Sequence, residues 1–143
     1  MTTIAIDKNY MLACDGRSTI GDIICNKTTP KIFRVEDDFI AGAGRYVNAL
    51  EFVEWYKDRS RKCPNVEGTT IIVLLSKKKK LLLVETSSSG NIHMTAVDVP
   101  FALGTGGQLA LGAMLAGKNA KDAILIAAQR DVYTNNKVKV YNK

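Results

Sequence analysis

Over residues 46–59 the apolar repeat changes period, and this one change between runs of short alternating segments limits the folds open to the chain. Val47, Leu50, Phe52, Val53 and Tyr56 recur at roughly helical spacing there, with Glu51, Glu54 and Lys57 on the other side, which predicts an amphipathic helix. Before it, 2–6 and 11–14 are β-type runs about the turn residues Asp7-Lys8-Asn9-Tyr10 and predict a hairpin. Strand-like pieces at 17–24 and 31–35 flank the polar Asn26-Lys27-Thr28-Thr29-Pro30 loop, and 39–43 is a further strand after the Glu36-Asp37-Asp38 turn. After the helix, a polar stretch at 60–68 leads into a hairpin of 69–75 and 81–86, and a short strand follows at 93–97. The loop Gly104-Thr105-Gly106-Gly107 opens a helix at 108–116, and a second helix at 121–130 follows the break at Lys118-Asn119. Residues 137–141 alternate as an edge strand. This order predicts an α+β fold in which helices cover the outer faces of antiparallel sheets. No repeat or linker divides it, so residues 1–143 are expected to form a single domain.

The bulk properties narrow the function. A hydrophobic share of 46% with 24% charged residues is a globular composition, and the longest apolar runs fall far short of the roughly 20 residues that cross a bilayer. The start Met-Thr-Thr-Ile-Ala-Ile-Asp lacks the basic and apolar regions of a signal peptide, so a cytoplasmic protein without membrane partners is expected. Cys14, Cys25 and Cys63 are odd in number and without metal-ligand spacing, and His93 is the lone histidine, so reduced thiols and no metal are expected. The net charge is +6 and Lys77-Lys78-Lys79-Lys80 would suit phosphate, but the run sits between two strands and no aromatic residue interleaves it. It reads as a solvated hairpin turn, with no nucleic-acid partner.

A hydroxyl is a weak nucleophile near neutral pH and needs a neighbouring base. A threonine at the start of a chain supplies one itself, because a free α-amine has a pKa of about 7.7–8.0. Thr2 reaches that position once Met1 is removed, and its small side chain is of the kind that permits removal. Five further segments accompany Thr2-Thr3-Ile4 in order. They are Ala13-Cys14-Asp15-Gly16-Arg17-Ser18-Thr19-Ile20-Gly21, then Pro30-Lys31-Ile32, then Ile40-Ala41-Gly42, then Gly104-Thr105-Gly106-Gly107, then Arg130-Asp131-Val132-Tyr133-Thr134. Along most of its length the chain thereby resembles the bacterial peptidase HslV and the proteasome β subunits, a family of N-terminal nucleophile (Ntn) threonine hydrolases.

The resemblance implies an αββα sandwich of two antiparallel sheets covered by helices. One helical layer is reduced, since residues 46–59 supply a single helix where the family has two. It implies Thr2 as nucleophile, Lys31 as the ammonium that favours the alkoxide, and Asp15 as the carboxylate that orients Lys31. Gly42 would give its N–H to the oxyanion hole, and Thr105, Asp131 and Thr134 would form the hydrogen-bonded group around the terminal amine. The residue types allow plainer readings, among them a solvated Lys31, an Asp15-Gly16 turn, tight packing at Gly42 and a helix N-cap at Thr105. Arg17, Thr19 and Gly21 would lie on the strand that pairs with extended substrate, and Phe33 and Ile40 would line an apolar pocket. The implied activity is a threonine-type endopeptidase on unfolded polypeptides, needing no cofactor and working in a homo-oligomeric ring. An ATP-dependent unfoldase partner is implied by the resemblance alone, for the chain has no P-loop of its own. A non-catalytic assembly or shell protein that keeps Met1, and an Ntn amidase acting on small amides, stay open as alternatives.

Overall fold

A computed structural model describes residues 2–141, which divide into two compact units, 2–31 with 98–141, and Ile32–Val97. The first unit is built on β1 (Thr3–Ile6) and β2 (Leu12–Cys14), joined by a turn that Asp7 shapes. Asp7 Oδ1 accepts from the N–H groups of Asn9 and Met11, and Tyr10 closes the turn at φ 63. The other oxygen, Oδ2, accepts from Ala120 N at 2.9 Å, so the same carboxylate tethers the start of a distant helix.

Later in the chain come β10 (Phe101–Gly104), α2 (Gly107–Leu115), α3 (Ala120–Ala128) and β11 (Lys139–Tyr141). The antiparallel sheet runs β10-β1-β2-β11, which puts the tail strand at an edge, as its alternation predicts. Small residues let α2 and α3 approach this sheet closely: Ala5 and Ala13 of the strands pack with Ala110, Ala123, Ile124 and Ala127 of the helices. Ile4, Ile6 and Leu12, which alternate to the opposite face, are fully buried as well.

Between β2 and Lys31 lies a two-stranded hairpin of β3 (Ser18–Ile20) and β4 (Ile23–Asn26). The single strand expected at 17–24 is therefore two strands, because Gly21 adopts φ 57 and reverses the chain there. Ile20 and Ile23 are left 75% and 70% exposed.

The second unit is a five-stranded antiparallel meander with one helix. It comprises β5 (Ile32–Val35), β6 (Asp38–Gly44), β7 (Thr69–Leu75), β8 (Lys80–Thr86) and β9 (Ile92–Val97), in that order across the sheet, with α1 (Tyr46–Lys57) against β5, β6 and β7. Phe52 and Val53 of α1 meet Ile40, Ile71, Val73 and Val84 in its core. The helix stops two residues before the expected end, because Asp58 is extended and its side chain turns the chain through Ser60. Lys77, Lys78 and Lys79 lie in the β7–β8 turn as expected, with Lys77 2.9 Å from Asp37, and Lys80 opens β8. Strand β10 was not expected at all: four residues that end in glycine show no period of their own. Among the described residues no helix is long and apolar enough to cross a membrane.

Candidate active site

Two hydrogen-bonded groups meet at the start of the first unit. The first centres on Asp15, just after β2 and fully buried. Its Oδ1 accepts from Thr2 Oγ1 at 2.7 Å, from Thr3 N at 3.0 Å and from Lys31 Nζ at 2.7 Å. Its Oδ2 accepts from Arg17 N and Asn135 N, each at 3.1 Å. Charge-assisted bonds of this kind are short and strong, and a buried ion pair needs such partners for its remaining lone pairs.

Lys31, 4% exposed, gives a second proton to the carbonyl of Arg17. Burial lowers the pKa of its ammonium below the ordinary lysine range, and the adjacent carboxylate of Asp15 works against that shift. The hydroxyl of Thr2 and the ammonium thus share one carboxylate oxygen, which places a positive charge beside the candidate nucleophile. Neighbouring Cys14 is pushed up to about 11 by burial, with Lys31 opposing and Asp15 adding to the rise. Its thiol stays protonated and plays no part in the charge balance.

The second group centres on Asp131, in the loop after α3. Its Oδ2 accepts from Thr105 Oγ1 at 2.6 Å and from the Thr134 hydroxyl, and its Oδ1 accepts from Tyr133 N at 3.2 Å. Burial would raise this carboxyl's pKa, but the two hydroxyls and the N–H outweigh it and hold the group below its ordinary value. Thr105 is not a helix cap: α2 is capped by Gly106, without a side-chain bond, and the Thr105 hydroxyl turns to Asp131 instead. The preceding glycine is demanded by space and by φ 94, since a Cβ on Gly104 would stand 1.7 Å from the Thr2 carbonyl oxygen.

The structure therefore brings together Thr2, Asp15 and Lys31 in one group and Thr105, Asp131 and Thr134 in the other. Arg17 precedes β3 rather than lying on it; its Nη1 donates to Val132 O at 2.6 Å, and it lines a cleft of about 340 Å³ with Gln129, Arg130, Asp131 and Asn136. Thr19 is in β3 opposite Ile24, and Gly21 is in the turn beyond it. Gly42, Phe33 and Ile40 belong to the second unit. Gly42 sits on β6 where α1 comes close, a Cβ there falling 3.0 Å from Ala49 Cβ, so tight packing accounts for its missing side chain. Phe33 packs at the margin of that unit's core, its ring 6.3 Å from Tyr46. Ile40 is 0% exposed within the core, which corrects the expectation that it lines a pocket: it has no surface to offer a ligand.

Two residues escaped the sequence reading. Asn135, 7% exposed, accepts from Gly16 N at 2.9 Å and donates to Lys27 O at 2.9 Å, stapling the loop of the second group to the Asp15 turn. The side chain of Thr3 lies 2.6 Å from Thr134 Oγ1. Asn135-Asn136 reads in sequence as turn material, and no local signal marks its partners. Among the described residues no cluster of His, Cys, Asp or Glu is arranged to hold a metal ion.

The α+β fold is of the HslV and proteasome class, with one helical layer reduced to α1. Among solved structures, the chain is similar to eukaryotic HslV from Trypanosoma brucei, with a TM-score of 0.70 and 22% identity over 99% of this chain and 98% of that one. It is similar too to Thiobacillus denitrificans BPH in complex with epoxomicin, with a TM-score of 0.71 and 15% identity over 99% and 97%. No protein-family model and no curated protein matches the sequence. At these identities the likeness establishes the fold, and the chemistry has to be argued from the residues.

Proposed function

We propose that the chain is a threonine-type endopeptidase that cleaves peptide bonds of unfolded polypeptides, with Thr2 as nucleophile after Met1 is removed. The observation that carries this reading is the buried Thr2–Asp15–Lys31 group, with 2.7 Å from the hydroxyl to Asp15 and 2.7 Å from Asp15 to the ammonium. With the α-amine free, that amine takes the proton of Thr2 Oγ1 as the oxygen attacks the scissile carbonyl carbon. The Lys31 ammonium favours the alkoxide, and Asp15 keeps Lys31 charged and oriented. The amine then returns its proton to the leaving amino group, leaving an ester on Thr2 that water hydrolyses by the same route in reverse order. The lone pairs of Thr105 Oγ1 can accept an N–H from the protonated amine, because its own proton is committed to Asp131. The resemblance supplies the rest: β3 for pairing with extended substrate, a homo-oligomeric ring and an ATP-dependent unfoldase partner.

Cleavage of an unfolded protein and of short peptides tests the reading. Thr2→Ala is expected to lower kcat by about a thousandfold or more, and unchanged cleavage by that variant would sink it. Intact mass separates the peptidase from a non-catalytic shell protein: a population that wholly retains Met1 has no free amine on Thr2 and supports the shell. A small-amide hydrolase would turn over simple amides and leave polypeptides intact.

A further inference from the structure

Thr3 stands next to the proposed nucleophile and belongs to both hydrogen-bonded groups. Its N–H donates to Asp15 Oδ1 at 3.0 Å and its carbonyl accepts from Asp15 N at 3.2 Å. Its side-chain oxygen reaches the other group, 2.6 Å from Thr134 Oγ1, and the residue is 0% exposed. The polarity of that last bond follows from counting protons. A threonine hydroxyl has one, and Thr134 gives its own to Asp131 Oδ2. An ionised carboxylate has none to return, so Thr134 accepts from Thr3. Arg130 beside Asp131 in the chain, and Arg17, whose Nη1 is bound to Val132 O, are donors only and cannot take the Thr3 proton.

Gly106 fits the same network. Its φ of −91 is open to any residue, so backbone conformation does not require glycine there. Space does: a Cβ at Gly106 would lie 2.2 Å from Thr3 Oγ1 and 3.1 Å from both Asp131 Oδ2 and Thr134 Oγ1. The absent side chain leaves room for three oxygens to converge.

We propose that Thr3 is a positioning residue whose hydroxyl, acting through Thr134, fixes Asp131 and so aims the Thr105 oxygen at the amine of Thr2. Its effect on rate rests on the peptidase reading, while its effect on Asp131 does not. Thr3→Val keeps the shape and removes the hydroxyl; Thr3→Ser keeps the hydroxyl and removes the methyl. On peptide substrate, Thr3→Val is expected to lower kcat about fivefold to tenfold with KM within about twofold. Followed by carbon NMR of the carboxyl, Asp131 in that variant titrates at higher pH than in wild type. Thr3→Ser matches wild type in both measurements, and Gly106→Ala, which displaces the Thr3 oxygen, follows Thr3→Val. If the role were packing, serine would be the damaging substitution and valine the silent one, and that order overturns the proposal. An Asp131 titration unmoved by Thr3→Val overturns it equally. The titration needs no turnover, so it decides the role of Thr3 even if Thr2→Ala leaves cleavage intact and the peptidase reading falls.

Discussion

Asp15 receives three donors on one oxygen and two on the other, so its loss would be felt at five places at once. Asp15→Asn strands the Lys31 ammonium in the interior without its counter-charge, and the expected loss is about 3–5 kcal/mol in urea unfolding. Replacing Asp15 and Lys31 together, by Asn and Met, is expected to cost less than the sum of the two single changes, because no charge is then left unpaired. Asp131 ties stability to pH. Its pKa is lower in the folded than in the unfolded chain, so on acidification the unfolded state binds the proton first. The stability it contributes is whole above the ordinary carboxylate value of 3.8 and is lost as pH falls through the lowered one. Unfolding midpoints of wild type and Asp131→Asn should therefore differ by a constant amount from pH 7 to about 5 and converge below 3.8. At this scale Asp15, Lys31, Thr105, Asp131 and Thr134 were legible, because each sits inside a short segment whose order and spacing carry the resemblance. Thr3 and Asn135 were not: their partners are 131 and 119 residues away, and only the folded loop after α3 brings them near.

Elements were legible where period and punctuation agreed. The helix α3 shows both, with Asn119 just before it, and in the structure Asn119 accepts from Asp122 N at 2.8 Å as a side-chain N-cap, with Asp122 in the first turn. Asn119→Ala is expected to cost about 1 kcal/mol in thermal or urea unfolding, and Asn119→Gly only a few tenths. The hairpin of β7 and β8 was equally plain, since two apolar runs flank a polar turn. Where a strand is short the signal fails. β10 spans four residues and is a strand because Thr3, Ile4, Ala5 and Ile6 pair with it, a fact held by the opposite end of the chain. The piece at 17–24 misled in the opposite way: it reads as a single strand-like piece, but Gly21 folds it back and leaves Ile20 and Ile23 in solvent.

At the scale of the whole molecule each unit has its own core, and truncation should report on each. Phe52→Ala in the second unit is expected to cost about 3–5 kcal/mol and Ile124→Ala in the first about 2–5, both measured by denaturant unfolding. The order of elements made the α+β class legible, while the division into units did not show, since no change of composition marks residue 31 or 98. The three cysteines offer a last consequence. Cys25 and Cys63 are exposed, whereas Cys14 is buried with its thiol pushed up to about 11, one residue from Asp15 and paired in register with Ile4 and Lys139. A thiol-alkylating reagent at neutral pH should therefore add to two sites at once and to the third only when the sheet around the candidate nucleophile opens. The slow third addition is a clock set inside the chain, and its rate under native conditions reads how often the site comes apart.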